Sequence, residues 1–261
     1  MANVFVSIPI LDRPEFRMIQ SLYTAAYSSK HSIRLYFNEN DSLISRVRNV
    51  HISVFHDQFP DCDYFISLDS DIEIMNVFKG ENIFDKLVAH NVDFVGGLYA
   101  LKREDRVASS SITITGDIPK FNTGLVETPW LSSGCWCLKR SAVTKMINAY
   151  PELHYDGDDN ATGSKVYGLY IPMIYDLKET DFPSTNKKLP FRKYLSEDWS
   201  FAQRWYALGG KIFADTSIIL KHVGRKSYAL WGVEIVRREV PKREIREIKQ
   251  SAGLPQPGFD L

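Results

Sequence analysis

Apolar runs and amphipathic stretches take turns along the first hundred residues. NVFVSIPI at 3–10 is a short, β-branched apolar run closed by Pro9, and it predicts a buried strand. PEFRMIQSLYTAAYSS at 14–29 predicts a helix, with Pro14 suited to its first turn. SIRLYFN at 32–38 predicts a second strand. Residues 41–59 place Leu43, Val47, Val50 and Val54 at helical spacing behind an N-cap at Asp41 or Ser42. A third strand begins at Tyr64, a short helix covers 81–90, and VDFVGGLY at 92–99 predicts a fourth strand. Alternation of this kind implies a mostly parallel sheet with helices on both faces.

The pattern then breaks. Residues 109–140 read as short strands and turns, followed by a helix from Ser141. Residues 150–170 are polar, contain glycine and follow no period, which predicts a loop that orders over bound ligand. SEDWSFAQRWYALGG at 196–210 predicts a helix capped by Ser196 and stopped by Gly209-Gly210. Two short strands and a turn follow at 211–224, and a short amphipathic helix begins at Pro241. We therefore expect one domain over 1–224, with 225–261 as an extension packed on it.

Hydrophobic residues make up 44% of the 261, enough for a sizeable core. Lys plus Arg equals Asp plus Glu at 32 each, so a broad electrostatic grip on nucleic acid is not expected. The three cysteines are too few for a disulfide framework, and Cys135 and Cys137 share a strand face as small core residues. The N-terminus lacks a basic leader and no apolar run nears ~18 residues, so the expected setting is cytoplasmic, or host cytoplasm for a viral chain.

Candidate chemistry begins at YFISLDSDIEI, 64–74, where an apolar strand runs into Asp69, Asp71 and Glu73. Carboxylates two apart on an extended chain share a face and repel unless a cation sits between them. Their position at the carboxyl end of a strand is where open α/β sheets collect ligands. Mg²⁺ or Mn²⁺ suits such oxygens and shares its shell with phosphates; a solvated strand end is the plainer reading. Arg46 and Asn49 could serve phosphate and ribose, or lie on an ordinary helix face. Glu197 and Asp198 could hold a general base, or merely complement a helix dipole. His222, just past a strand, could complete a carboxylate metal site, or be structural.

Taken in order, these motifs resemble the nucleotide-sugar glycosyltransferases of the GT-A fold, especially family-two-like enzymes. YLSEDWSFAQRWYALGGKIFADTSIILKHVG at 194–224 is similar to the late segment of bacterial and phage or viral members, and the resemblance covers roughly 3–224. It implies a Rossmann-like, mostly parallel sheet flanked by helices, with a small antiparallel sheet on the acceptor side. It implies a nucleoside-diphosphate sugar donor, a UDP-sugar first among them, with Mn²⁺ or Mg²⁺. Pro9, Arg46, Asn49, Asp69 and Ser70 would meet the nucleotide, and Trp130 to Gly134 the sugar. Asp69, Asp71 and His222 would hold the metal, and Asp198, with Glu197 beside it, would deprotonate the acceptor in an inverting, single-sugar transfer. The acceptor is left open between a glycan, a lipid-linked sugar, a protein and modified nucleic acid.

Two features depart from the family. The acid that reads the base could be Glu39 or Asp41, and the processive synthases' Gln-x-x-Arg-Trp is missing because position 201 is Phe. A nucleotidyltransferase would need a Gly-rich loop where PILDRPEF stands, and a haloacid-dehalogenase-type phosphatase a Thr where Glu73 stands. A non-catalytic sugar-nucleotide or glycan binder would keep the fold without turnover.

Overall fold

A computed structural model describes residues 1–38, 41–75, 80–102, 124–157, 165–177, 191–224 and 228–229. The expected alternation is present: β1 (Asn3–Ile8), α1 (Phe16–Ser28), β2 (Ser32–Phe37), α2 (Ile44–Gln58), β3 (Tyr64–Leu68) and β4 (Ile72–Ile74). Then come α3 (Ile83–Ala89), β5 (Phe94–Gly97), β6 (Leu125–Glu127), β7 (Cys135–Lys139) and α4 (Arg140–Ala149). The late part holds β8 (His154–Tyr155), β9 (Val166–Tyr167), β10 (Met173–Leu177), β11 (Phe191–Leu195), α5 (Glu197–Ala207), β12 (Phe213–Asp215), β13 (Leu220–His222) and β14 (Tyr228–Ala229).

Seven strands form the central sheet in the order β2-β1-β3-β7-β5-β12-β6. β1 pairs in parallel with β2 and β3, and β5 with β12, while β7 and β6 oppose their neighbours. Alternate residues of each strand feed two separate cores, as the period of two requires. Phe5, Phe65, Phe94 and Trp136 face α2, α4 and α5; Val4, Val6, Ile66 and Val95 face α1 and α3. Cys135 and Cys137 lie together on the second face, both buried and free. Small antiparallel sheets β10-β11, β14-β13-β4 and β8-β9 complete the described architecture. No helix among the described residues is long and apolar enough to cross a membrane.

Several local expectations are corrected. α2 begins at Ile44 behind Leu43, with no side-chain cap; Asp41 instead accepts from the Leu43 amide at 2.9 Å and turns its carboxylate to Arg46. The expected stripe is also too narrow, because Leu43 is exposed while Arg48, Asn49, His51 and Ser53 are buried with Ile52 and Phe55. Ser196 stands at the start of α5, but its hydroxyl donates to Asp198 rather than accepting from the helix.

The described flanks of the 150–170 stretch are not a loose loop. β8 and β9 pair antiparallel, and Ser53 and Asn49 of α2 accept from the amides of Tyr167 and Tyr170 at 2.9 and 2.7 Å. Residues 158–164, the short strands expected before Gly124, Glu39, and the helix and extension expected beyond Ala229 lie outside the described residues.

Candidate functional site

β1 and β3 end side by side, and the chain turns away from each over a cleft of about 220 Å³. Pro9, Ile10 and Leu11 form one wall, Asp41, Ile44, Val47 and Arg48 another, and Asp69, Ser70 and Asp71 the floor. Asn38, at the end of β2, holds the wall: it accepts from the Ile10 amide and donates to the Ile10 carbonyl, each at 2.8 Å. Such reciprocal bonds fix a backbone that belongs to no ladder. Ser70 pins the floor, its carbonyl accepting from the Glu15 amide at 2.9 Å.

Asp69 and Asp71 do not share a face. β3 stops at Leu68, and the Ile72 amide donates to the Asp69 carbonyl at 3.1 Å, closing a tight turn over the motif. A turn sends side chains two apart in different directions, whereas a strand would not. Asp69 goes inward to Arg48, whose Nη2 donates to its Oδ1 at 2.6 Å. Asp71 goes to His222 and Lys102, with Oδ2 3.3 Å from Nε2 and 2.7 Å from Nζ. Glu73 leaves the site altogether and pairs with Lys221 at 3.7 Å on the β4–β13 ladder.

Arg48 is the cation that joins the two halves of the site. Its side chain is 5% exposed, and its other nitrogen, Nη1, donates to Glu197 Oε1 at 2.7 Å. Burial alone would lower its pKa, but Asp69 and Glu197 outweigh burial and raise it, so the charge is permanent. Burial raises the pKa of Glu197, the neighbouring Asp198 adds to this, and Arg48 opposes it. At Asp71 burial pushes upward, yet the nearby His222 and Lys102 side chains prevail and hold the carboxyl below its ordinary value.

Asp198 sits beside Glu197 at the start of α5, where its Oδ1 accepts from the Ser196 hydroxyl and from the Trp199 amide. Both bonds reach one oxygen, which fixes the carboxylate's orientation. The Trp199 ring packs tilted against Trp130 with centres 4.8 Å apart, and the Lys193 ammonium lies 4.3 and 4.5 Å from the two ring centres. Trp130 itself is 1% exposed and donates through Nε1 to Gln203, so it backs Trp199 rather than facing the cleft. Gly134 is fixed by packing: a Cβ there would stand 2.5 Å from the Tyr99 ring, while its amide donates to the Tyr99 hydroxyl and its carbonyl accepts from Asp69.

Two expected nucleotide contacts are employed elsewhere. Arg46 is half exposed and bound to both oxygens of Asp41 at 2.7 and 2.8 Å. Asn49 is 2% exposed and serves the Tyr170 amide. Sequence reasoning gave no role to Lys102, and it read Arg48 beside Arg46 as an ordinary surface arginine where it is in fact buried. Arg48 had a legible signal, since it shares a helical stripe with buried Ile52 and Phe55 at i, i+4 and i+7.

A cation at Asp71 would find a fitting pair. His222 Nδ1 lies 3.0 Å from the Ala100 carbonyl, which fixes the ring and presents Nε2 to Asp71. An oxygen and a nitrogen 3.3 Å apart match two ligands standing at about 2.1 Å and roughly a right angle on one ion. Among the described residues no third His, Cys, Asp or Glu joins them, so the remaining positions would fall to water or ligand oxygens.

No protein-family model matches the chain, and no curated protein matches it by sequence. Among solved structures it is similar to A197 from STIV, with 16% identity, a TM-score of 0.52, and coverage of 92% of this chain and 98% of that one. A glycosyltransferase involved in the glycosylation of the major capsid of PBCV-1 aligns at 13% identity and TM-score 0.35, over 57% of this chain and 66% of that one. GalNAc-T7, solved with UDP, GalNAc and Mn²⁺, aligns at 11% identity and TM-score 0.46, over 93% of this chain and 46% of its own. The likeness to A197 establishes a shared fold across nearly the whole of both chains.

Proposed function

We propose that residues 1–224 form a glycosyltransferase that moves one sugar from a nucleoside-diphosphate sugar, in the first place a UDP-sugar, to an acceptor hydroxyl. The observation that carries this reading is Asp71 on the floor of a cleft at the carboxyl ends of β1 and β3, with His222 3.3 Å from its carboxylate. That is where an open α/β sheet binds nucleotides. Asp71 and His222 would hold Mn²⁺ or Mg²⁺, which supplies positive charge to the leaving diphosphate. The cleft is smaller than the ~300–1,000 Å³ usual for a whole small-molecule ligand, which suits the nucleoside end, walled by Pro9 and Ile10.

The acceptor side belongs to α5. Asp198, oriented through Oδ1, takes the proton of the acceptor hydroxyl as its oxygen attacks the anomeric carbon. The bond from that carbon to the diphosphate oxygen breaks on the opposite face, so configuration inverts. Glu197 is held to Arg48 and keeps α5 in register with Asp69. Trp199 offers an aromatic face beside the base, a surface that suits a sugar ring.

The test is release of UDP from UDP-sugars in the presence of Mn²⁺. Asp198→Asn should slow it by ~10²–10⁴-fold, the usual loss on removing a general base, with nucleotide affinity kept. Unchanged turnover would leave Asp198 a helix-start acid. A native chain that binds nucleotide sugar without ever cleaving it would be a binding protein instead.

A further inference from the structure

We propose that Lys102 stands in for the divalent cation at Asp71 and must be displaced for the cation to bind, so that this lysine sets the metal affinity of the site. The inference rests on the metal reading of Asp71 and His222 given above. Lys102 Nζ reaches the same oxygen, Asp71 Oδ2, that faces His222 Nε2. One carboxylate oxygen thus meets an ammonium and an imidazole together, and a cation shared by Asp71 and His222 would have to approach that oxygen.

The stretch that delivers Lys102 also builds the rest of the pair's surroundings. The Tyr99 ring stands edge-on to His222 with centres 5.3 Å apart, and the Ala100 carbonyl accepts from His222 Nδ1. Tyr99 is 4% exposed and Ala100 0%, so both are fixed in the core. The Lys102 side chain is 42% exposed on a long flexible stem. Of the three, Lys102 alone can swing away without disturbing packing. A divalent ion and an ammonium on one carboxylate oxygen would lie within a few ångströms of each other, and in a half-buried setting that repulsion is strong. The lysine therefore withdraws as the ion binds. Asp71 lines the cleft, so the released ammonium stays close to any anionic ligand held there. Had the contact been an idle surface ion pair, removing it would leave metal binding unaltered.

The experiment measures Mn²⁺ binding to the full chain, without nucleotide, by the paramagnetic resonance signal of free Mn²⁺. Lys102→Met should bind Mn²⁺ about fivefold more tightly than the native chain, the scale of one partly exposed ion pair. Lys102→Arg, which keeps the charge, should match the native affinity, and Asp71→Asn should abolish binding. Unchanged or weaker binding in Lys102→Met, with Asp71→Asn still abolishing it, overturns the displacement and leaves the metal reading standing. A gain shared equally by Lys102→Arg also overturns it. Mn²⁺ binding that survives Asp71→Asn, or that is missing from both the native chain and Lys102→Met, overturns the displacement and the metal reading together.

Discussion

Asp69 and Asp71 are two residues apart in sequence, line one cleft, and belong to different charge networks. Asp69 belongs to an interior network in which Arg48, 5% exposed, binds it and Glu197 at 2.6 and 2.7 Å. Asp71 belongs to a rim network in which Lys102 is 42% exposed and His222 meets the same oxygen. Burial makes the first a fixed brace, since a buried charge cannot leave its partners without leaving them uncompensated. Partial exposure makes the Lys102 contact of the second exchangeable, because water and other cations can replace the ammonium. A site that holds its frame while exchanging ligands needs both properties. One set of charges holds the elements in place, and another accepts and releases a ligand.

The largest effect should come from breaking the brace. Arg48→Met removes the cation between two half-buried carboxylates and should lower unfolding stability by about 3–5 kcal/mol, the usual cost of breaking a buried pair. The midpoint of denaturant unfolding checks this, and a loss under ~1 kcal/mol would erase the distinction between the two networks.

Breaking the rim should act on binding rather than folding. Asp71→Asn takes an anionic ligand from a hard cation and should cost at least about tenfold in Mn²⁺-dependent UDP affinity, with the unfolding midpoint nearly unmoved. Calorimetric titration with and without Mn²⁺ measures it, and full Mn²⁺-dependent affinity in the variant would remove Asp71 from the metal site.

The interior should also be the more acid-sensitive. His51, on α2 one turn beyond Arg48, accepts or donates at 2.7 Å with Ser7 and has its pKa depressed to about 3, first by burial and then by Arg48. A base whose folded pKa is depressed binds its proton more readily when unfolded. Its contribution is therefore intact above the unfolded value near 6.5 and is lost as pH falls from there toward 3. The native chain should lose up to about 1.4 kcal/mol per pH unit in that window through this one group. His51→Gln should flatten the slope, and equal slopes in the two chains would refute the assignment.

The smallest effect sharpens the contrast from the other side. Lys102→Met should shift folding stability by less than ~1 kcal/mol, as a partly exposed pair does. A thermal or denaturant midpoint suffices, and a loss as large as that of Arg48→Met would place Lys102 in the brace.

What the sequence by itself determined is the scaffold. Periods of two and 3.6, punctuated by Pro9, Pro14 and Gly209-Gly210, located β1, α1, β2, α2, β3, α3 and α5, while the turn that separates β4 from β3 left no periodic signal. The strand–helix alternation pointed to a sheet flanked by helices, and the carboxylates at the end of β3 to the edge where the cleft lies. Tertiary structure decided which charge meets which. Arg46 and Arg48 are two apart on α2 and point to nearly opposite sides, one to Asp41 at the surface and one to Asp69 and Glu197 inside. Nothing in the alternation Asp69-Ser70-Asp71-Ile72-Glu73 says that a turn interrupts it, yet that turn sends the three acids to three different cations. Local pattern fixes which face of an element is apolar. The partner of a charge lies up to 151 residues away, at His222 for Asp71, and only the packing of the elements brings the two together.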